Sequence, residues 1–166
     1  RKRMAKESPQ EKEFLQLVKQ HERIIYKLVN VYAVDEEEKR DLIQEILYQA
    51  WKGYAGFEGR SAFSTWLYRL SLNTIFTFRR KESRNGTKTG AVAAEPWQDE
   101  QANSSLEAKM LLKAIRELPE LDRALISLHL DGYAHAEIAE VVGLTETNVR
   151  VRVHRIKKHL ITTLNG

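Results

Sequence analysis

The sequence predicts an all-α protein made of two small helical domains joined by a flexible linker. Apolar residues recur at the three- and four-residue spacing of helices along most of the chain, and no stretch shows the period-two alternation of strands. Residues 82–104 hold two glycines and one proline with little periodicity, as a tether between domains would. A length of 166 residues allows one medium domain or two small ones.

The first domain is expected over residues 9–81. Its first helix begins at "SPQE", where Ser8 can cap the helix, Pro9 suits the first turn and Glu11 can complete a capping box. Asp35 and Glu38 form a second box, and the acidic run there is interpreted as a helix start rather than a metal site, because negative charge complements the helix dipole. The loop "KGYAGFEGRS" precedes a third helix. The three expected helices span Pro9–Tyr32, Glu36–Tyr54 and Ala62–Lys81.

The second domain is expected over residues 105–164, with helicity resuming at Ser104, whose box partner is Glu107. Within it, Ala139, Gly143 and Val149 have the spacing of a helix-turn-helix: the small alanine lets two helices approach, and the glycine permits the turn. Thr145 can cap the second helix of this motif. The expected helices span Leu106–Glu117, Pro119–Leu130, Ala134–Val142 and Glu146–Leu164.

The last helix carries five basic residues, and its projection at 100° per residue separates two faces. Apolar residues mark the inner face, namely Val149, Val153, Ile156 and Leu160. The opposite face can read a DNA major groove, since arginine pairs with guanine, histidine can donate or accept, and a valine methyl can contact thymine. Arg152 and Lys157 at the flanks suit phosphates. The reading face comprises Thr147, Arg150, Val151, His154, Arg155 and Lys158.

Composition excludes several classes of protein. The chain has no cysteine for disulfides or thiolate chemistry, and no apolar run near the roughly 18 residues of a membrane span. Its five histidines form no HExxH array, and no phosphate-cradling glycine loop or nucleophile elbow occurs. No catalytic residue, metal, cofactor or small-molecule substrate is therefore expected. A net charge of +4 is unevenly spread, with basic segments at 60–81 and 145–166.

Three segments resemble bacterial sigma factors of the extracytoplasmic-function (ECF) group of the sigma-70 family. The stretch "DLIQEILYQAWKGYAGFEGRSAFSTWLYRLSLNTIFTFRRK", residues 41–81, resembles sigma regions 2.2 to 2.4, and "FLQLVKQHERIIYKLV" resembles region 2.1. Residues 111–160 resemble region 4. The resemblance implies a subunit that docks on core RNA polymerase, whose first domain reads and opens the minus-ten promoter element and whose second domain reads the minus-thirty-five element.

The resemblance assigns minus-ten contacts to the first domain. Family members capture a flipped base in the loop that follows the second helix, and they hold the strand backbone with basic residues. Trp66 is expected in the core rather than against bases, because its spacing matches that of its apolar neighbours. The implied minus-ten residues are Lys52, Gly53, Phe57, Ser61, Asn73, Arg79 and Arg80, with Lys81 as a further phosphate ligand.

The helix Glu36–Tyr54 is expected to bury Leu42, Ile43, Ile46, Leu47 and Ala50. In the family, this helix meets a coiled coil of the largest polymerase subunit, which implies polymerase contacts by Asp41, Gln44, Glu45 and Gln49. The resemblance further implies control by an anti-sigma factor and a cytoplasmic location, at the inner membrane face where such a factor is membrane-bound.

One departure from the family pattern lies in the reading helix. The usual turn and helix run Ser, two residues, then Thr-Val-Lys-Ser-Arg, whereas this chain has Thr145 and then Asn148-Val149-Arg150-Val151-Arg152. The scaffold is kept, but Val151 lacks the hydroxyl, so a different upstream promoter sequence is expected. Without the first domain, a stand-alone helix-turn-helix regulator would be the alternative; it would protect DNA without polymerase.

Overall fold

The computed structural model describes residues 8–84 and 105–166, and these ranges contain seven α-helices and no strand. The all-α prediction is confirmed. None of the helices in these two ranges is long and apolar enough to cross a membrane. In chain order the helices are α1 (Pro9–Tyr32), α2 (Glu36–Tyr54), α3 (Phe63–Arg84), α4 (Leu106–Arg116), α5 (Glu120–Leu130), α6 (His135–Val142) and α7 (Glu146–Asn165).

Short polar side chains start four of the helices. The Ser8 hydroxyl accepts from the Glu11 N–H at 3.2 Å, and the Asp35 carboxylate accepts from the Glu38 N–H at 2.8 Å, which are the N-cap bonds of the two predicted boxes. In the second domain the cap of α4 is Ser105 rather than the expected Ser104, which lies outside the described residues. The expected N-caps of α1 and α2 are therefore confirmed, whereas the N-cap of α4 lies one residue later than expected although the helix begins at Leu106 as predicted.

The boundaries differ from the prediction in one respect that affects domain layout. The third helix was expected to end at Lys81, but α3 continues through Arg84. Hydrogen-bonded helix therefore occupies the first three residues assigned to the linker, because the polar residues there are compatible with an exposed helix end. The rest of the expected linker, residues 85–104, lies outside the described residues.

Helices α1 to α3 form the first domain around a core that excludes solvent. Leu42, Ile46 and Ala50 of α2 are fully inaccessible, as are Leu67 and Ile75 of α3. Each set follows helical spacing, so one stripe of each helix meets the other two. Helices α4 to α7 build the second domain in the same way, where Leu125, Leu128, Ile138 and Val149 have no exposed surface.

The two domains pack directly against each other, and guanidinium groups cap the carboxyl end of α1. The Asn30 carbonyl accepts from Arg116 Nε at 2.9 Å, and the Val31 carbonyl accepts from Arg123 Nη1 at 3.2 Å. The Tyr32 carbonyl accepts from Arg79 of α3. Cations at this end complement the helix dipole, so two arginines of the second domain satisfy carbonyls that α1 itself leaves free.

Further contacts join the domains on either side of this α1 end. The Tyr32 hydroxyl donates to the Glu120 carbonyl at 2.7 Å, and Lys27 Nζ lies 2.5 Å from Asp131 Oδ1. Arg69 Nη2 of α3 donates to the carbonyl of Glu140 at 2.8 Å, near the end of α6. The described parts of the chain thus adopt one closed arrangement, which the sequence did not predict.

Candidate nucleic-acid interface

A left-handed glycine sets the angle between α6 and α7. Gly143 has φ of 75° and ends α6, with its N–H donating to the Ala139 carbonyl at 2.9 Å. A side chain at this φ is strained, which accounts for glycine. Two residues later, the Thr145 hydroxyl accepts from the Asn148 N–H at 3.1 Å and starts α7. The predicted helix-turn-helix is present, with the turn and the cap at the expected residues.

The inner stripe of α7 is buried as its spacing predicts, with side chains Val149, Val153, Ile156 and Leu160 each at most 5% exposed. Burial of this stripe fixes the rotation of the helix, so the opposite side must face solvent. All six residues of the predicted reading face are exposed there: Thr147, Arg150, Val151, His154, Arg155 and Lys158.

Acidic side chains lie close to the arginines of α7. Arg150 Nη2 lies 3.4 Å from Glu146 Oε1, an exposed pair that costs little to separate. Arg152 is half-buried, and both Arg152 and Arg155 border a cavity of about 360 Å³ whose other walls include Glu117 and Asp122. Arg152 therefore lies at the flank of α7, where a phosphate ligand was expected, rather than at the centre of its outer face.

A pair of stacked histidines beside α7 was not predicted. The rings of His129 and His135 stack with centroids 6.0 Å apart, where α5 ends and α6 begins. Burial, and then the charge of Lys157 and the neighbouring His135, lower the pKa of His129 below its ordinary value of 6.5. The sequence signal was weak, because two histidines six residues apart on different helices match no motif.

The first domain has a groove along α3, with a volume of about 640 Å³. Four polar side chains at four-residue spacing follow one face of α3 along it: Arg69, Asn73, Thr77 and Lys81. The opposite wall includes Glu45 and Gln49 of α2. Asn73, the residue expected to touch minus-ten bases, is exposed in this groove.

An aromatic cluster lies by the α2–α3 loop, and its Trp66 ring borders the groove. The ring of Phe57 lies 5.2 Å from that of Trp66 and 5.8 Å from that of Phe63. Phe57, expected to help capture a flipped base, is thus half-buried against other rings. Trp66, expected in the core, is also only half-buried and borders the groove. A β-carbon on Gly53 would stand 3.3 Å from Trp66 Cζ2, so this glycine lets the indole pack against α2.

The remaining minus-ten candidates have different surroundings. Lys52 is exposed, with Nζ 5.5 Å from the centroid of the Tyr48 ring. Ser61 is half-buried in the loop. Arg80 is exposed, and its Nε lies 3.3 Å from the Phe76 carbonyl, so its guanidinium remains at the surface.

Arg79 departs from the prediction. Its Nη1 lies 2.8 Å from Glu38 Oε1, its side chain is only 16% exposed, and its Nε lies 3.8 Å from Glu120 Oε1 of the second domain. Glu38 itself is 3% exposed. Arg79 therefore joins three helices inside the molecule instead of extending to a DNA phosphate. The resemblance had assigned phosphate contacts to Arg79 and Arg80 together, although at about 100° per residue Arg80 lies about 20° from Asn73 around the helix and Arg79 about 120° from it.

The predicted polymerase-binding residues of α2 divide between two sides. Asp41 and Gln44 are exposed, whereas Glu45 and Gln49 are half-buried, joined by a hydrogen bond of 2.9 Å, and turned to the groove. Leu47 was expected in the core but is 36% exposed. Together with Tyr48 at 56% and Trp51 at 40%, it forms an apolar surface that the sequence analysis missed. Three apolar residues within five positions were the available signal.

Comparison with known proteins identifies the two domains. Residues 17–85 match the family "Sigma-70 region 2", and residues 108–160 match "Sigma-70, region 4". ECF RNA polymerase sigma-E factors from Haemophilus influenzae and Escherichia coli are each 28% identical to the chain over 162 residues, which is 89% of this chain and 85% or 84% of theirs.

Two solved structures share the fold. One is the sigma factor RpoE from Bartonella quintana, crystallised with the anti-sigma factor NepR; its TM-score is 0.77 at 24% identity, covering 93% of this chain and 98% of that one. The other is CnrH in complex with the cytosolic domain of CnrY, with a TM-score of 0.68 at 22% identity, covering 93% and 88%.

A region 2 domain followed by a region 4 domain on one chain defines a sigma factor of the sigma-70 family. Within that family, the chain belongs to the ECF group, with which it shares both domains and nearly its whole length. The family consists of transcription regulators rather than enzymes.

Proposed function

We propose that the protein binds core RNA polymerase and directs it to promoters, where the first domain recognises and opens the minus-ten element and the second reads the minus-thirty-five element. The observation that carries this proposal is the pairing of both sigma domains, in family order, on one chain. The exposed basic face of α7 supports major-groove reading, and the groove along α3 supports binding of a separated strand.

Base recognition by α7 is assigned to the centre of its exposed face. Arg155 and Lys158 are exposed there with Val151, whose side chain is 44% exposed. Arginine can donate two bonds to guanine, and an apolar side chain of this size can contact a thymine methyl. Arg150 reaches bases once its weak pair with Glu146 opens. Arg152 and Lys157 at the flanks hold phosphates, and Thr145 mainly caps the helix.

Minus-ten recognition is assigned to Asn73 in the groove, with the loop residues Phe57 and Ser61 beside it. Exposed Lys52, Arg80 and Lys81 supply positive charge for the strand backbone. Arg79 is excluded from this set because it pairs with Glu38. A flipped base can stack on Phe57 only if that ring moves away from Trp66, since the two rings are in contact.

Polymerase docking is assigned to the exposed side of α2. Asp41 and Gln44 offer hydrogen-bond acceptors and donors. The adjacent apolar surface of Leu47, Tyr48 and Trp51 supplies hydrophobic area whose burial in an interface is favourable. Interfaces commonly combine aromatic anchors with a polar rim. A factor that docks on polymerase acts in the cytoplasm.

Control by an anti-sigma factor is part of the proposal. Its support is that one structural neighbour is the sigma factor RpoE in complex with the anti-sigma factor NepR. The inhibitor of this chain would have to cover the α2 surface or hold the domains in an arrangement unable to engage polymerase.

The decisive test is run-off transcription with purified core polymerase on a library of candidate promoters. We expect specific transcripts only when both the protein and core are present. A stand-alone helix-turn-helix regulator would instead protect duplex DNA without polymerase and leave initiation by core unchanged. Footprints of the protein alone, with no transcripts after core is added, would contradict the proposed function.

A further inference from the structure

A stripe of four polar residues runs along α3, and the first of them, Arg69, is bound by the second domain. Arg69, Asn73, Thr77 and Lys81 border the groove at intervals of one helical turn, about 6 Å along the axis. Asn73, Thr77 and Lys81 are exposed, whereas Arg69 is half-buried and its Nη2 donates to the Glu140 carbonyl of α6 at 2.8 Å. Arg69 is thus the one member of the stripe with a described hydrogen bond to the other domain.

The hydrogen bond between Arg69 and the Glu140 carbonyl uses little of the binding capacity of the guanidinium. A guanidinium carries five donors and a full charge, and a backbone carbonyl at the end of α6 uses only part of that capacity. A phosphate would accept two parallel bonds from the same group. The stripe would then have a cation at both ends, Arg69 and Lys81, about 18 Å apart along α3, with the donors Asn73 and Thr77 between them.

The closed arrangement cannot be the one that acts at a promoter, an argument that rests on the proposed function. Elements centred near minus ten and minus thirty-five are separated by about 25 base pairs, or roughly 85 Å of duplex. A compact chain of this length has a radius of gyration of about 15 Å. The two domains must therefore separate before both elements can be contacted.

We infer that Arg69 is a further contact for the backbone of the separated promoter strand, and that docking of the second domain masks it until the domains part. Arg69 exchanges the Glu140 carbonyl for a phosphate, so that strand binding and domain opening favour each other. The linkage is reciprocal: a strand bound to Arg69 stabilises the open chain, and any contact that closes the chain weakens strand binding.

The test compares two substitutions that each remove one positive charge and one contact between domains. Arg69→Ala removes the groove residue. Lys27→Gln removes the ion pair with Asp131, outside the groove, at a side chain that is 48% exposed. The full chain, which lacks cysteine, is labelled for energy transfer through Gln20→Cys and Thr163→Cys, two exposed positions on α1 and α7. The probe is dye-labelled single-stranded DNA of randomised sequence, because a backbone contact does not depend on sequence.

Both substitutions should lower energy transfer between the labelled domains, since each weakens the closed state. Lys27→Gln should bind the single strand at least as tightly as the parent, whereas Arg69→Ala should bind about tenfold more weakly, the loss expected for one charge-assisted contact. The slope of log affinity against log salt should be smaller in magnitude by about 0.7 in Arg69→Ala than in Lys27→Gln. Arg69→Lys should recover part of the affinity.

Equal strand affinity and equal salt slopes in the two variants would show that Arg69 only joins the domains. Unchanged energy transfer in both variants would show that these contacts do not hold the chain closed, and masking would be wrong. The proposed function is judged separately by run-off transcription of Lys27→Gln with core polymerase. Transcripts from that variant alongside equal strand binding would overturn the inference about Arg69 and leave the proposed function standing.

Discussion

Val151 is an apolar side chain between two arginines on the exposed face of α7, and it is 44% exposed. Such exposure costs free energy in the isolated protein, because an isopropyl group gains nothing from water. On a face assigned to DNA, the thymine methyl is its natural partner. The residue that departs from the family pattern is thus the one expected to distinguish this promoter set from others.

Arg155→Ala should weaken promoter selection without affecting polymerase binding. Arg155 is exposed near the centre of the reading face and far along the chain from α2. Loss of a bidentate base contact should cost about 1–3 kcal/mol of discrimination at one base pair. Competitive transcription from matched and mismatched promoters measures this, with core affinity as the control. Normal use of every promoter by the variant would place the reading face elsewhere.

Arg79→Ala should reduce stability rather than DNA binding. The substitution leaves Glu38 only 3% exposed without its guanidinium partner, and breaking a buried pair typically costs about 3–5 kcal/mol. Arg80→Ala at an exposed neighbour is the matched control and should change the free energy of unfolding by about 0.5 kcal/mol or less. Urea titration followed by circular dichroism separates the two. Equal stability of both variants would contradict the assignment.

At the scale of elements, N-cap residues and apolar spacing were sufficient to predict where most helices begin and which faces they bury. Ser8, Asp35 and Thr145 cap the helices they were expected to cap, because an N-cap is a local interaction between residues three apart. The end of α3 was predicted three residues too early, because no local signal terminates the helix within its polar last turn. Leu47 was misplaced for another reason: spacing gives the direction of a side chain but not how far its neighbours extend over it.

Gly143 offers a test of the turn between α6 and α7. No heavy atom lies within 4 Å of a β-carbon built on it, so the cost of Gly143→Ala is conformational and should be about 1–2 kcal/mol. Gly143→Asn should lose less, because asparagine tolerates left-handed backbone better than alanine. Thermal unfolding of the two variants gives the order. If alanine were as stable as glycine, the left-handed conformation would not hold the turn.

At the scale of the whole molecule, the docking of the domains could not be predicted from the sequence. It depends on arginines that meet backbone carbonyls some 86 to 92 positions away, and a carbonyl is the same at every residue. The groove on α3 was only partly predictable. Asn73 and the basic residues were found through a resemblance, whereas Arg69 has a role that depends on the second domain.

Tyr32 makes the closed molecule sensitive to alkali. Burial raises the pKa of its phenol above the ordinary value of 10, while the unfolded chain keeps that value. The stabilising effect is therefore complete below pH 10 and is lost as the pH rises above it, by about 1.4 kcal/mol per pH unit. Burial raises the pKa of Tyr68 in the same direction, so the two can add.

Tyr32→Phe should lose about 1 kcal/mol at neutral pH, because the bond to the Glu120 carbonyl disappears, and should then be less sensitive to alkali than the parent. Denaturant midpoints between pH 8 and pH 11 measure both effects. Tyr26→Phe, at a half-buried position on the same helix, is the control. Parallel curves for the parent and Tyr32→Phe would contradict this account.

The partly exposed ion pair between Lys27 and Asp131 has a consequence for the response to ionic strength. Added salt screens such a pair and so favours separation of the domains, while the same ions compete with the protein for phosphates. The two effects have opposite signs. Affinity for single-stranded DNA should therefore fall less steeply with salt in the parent than in Lys27→Gln, which lacks the pair.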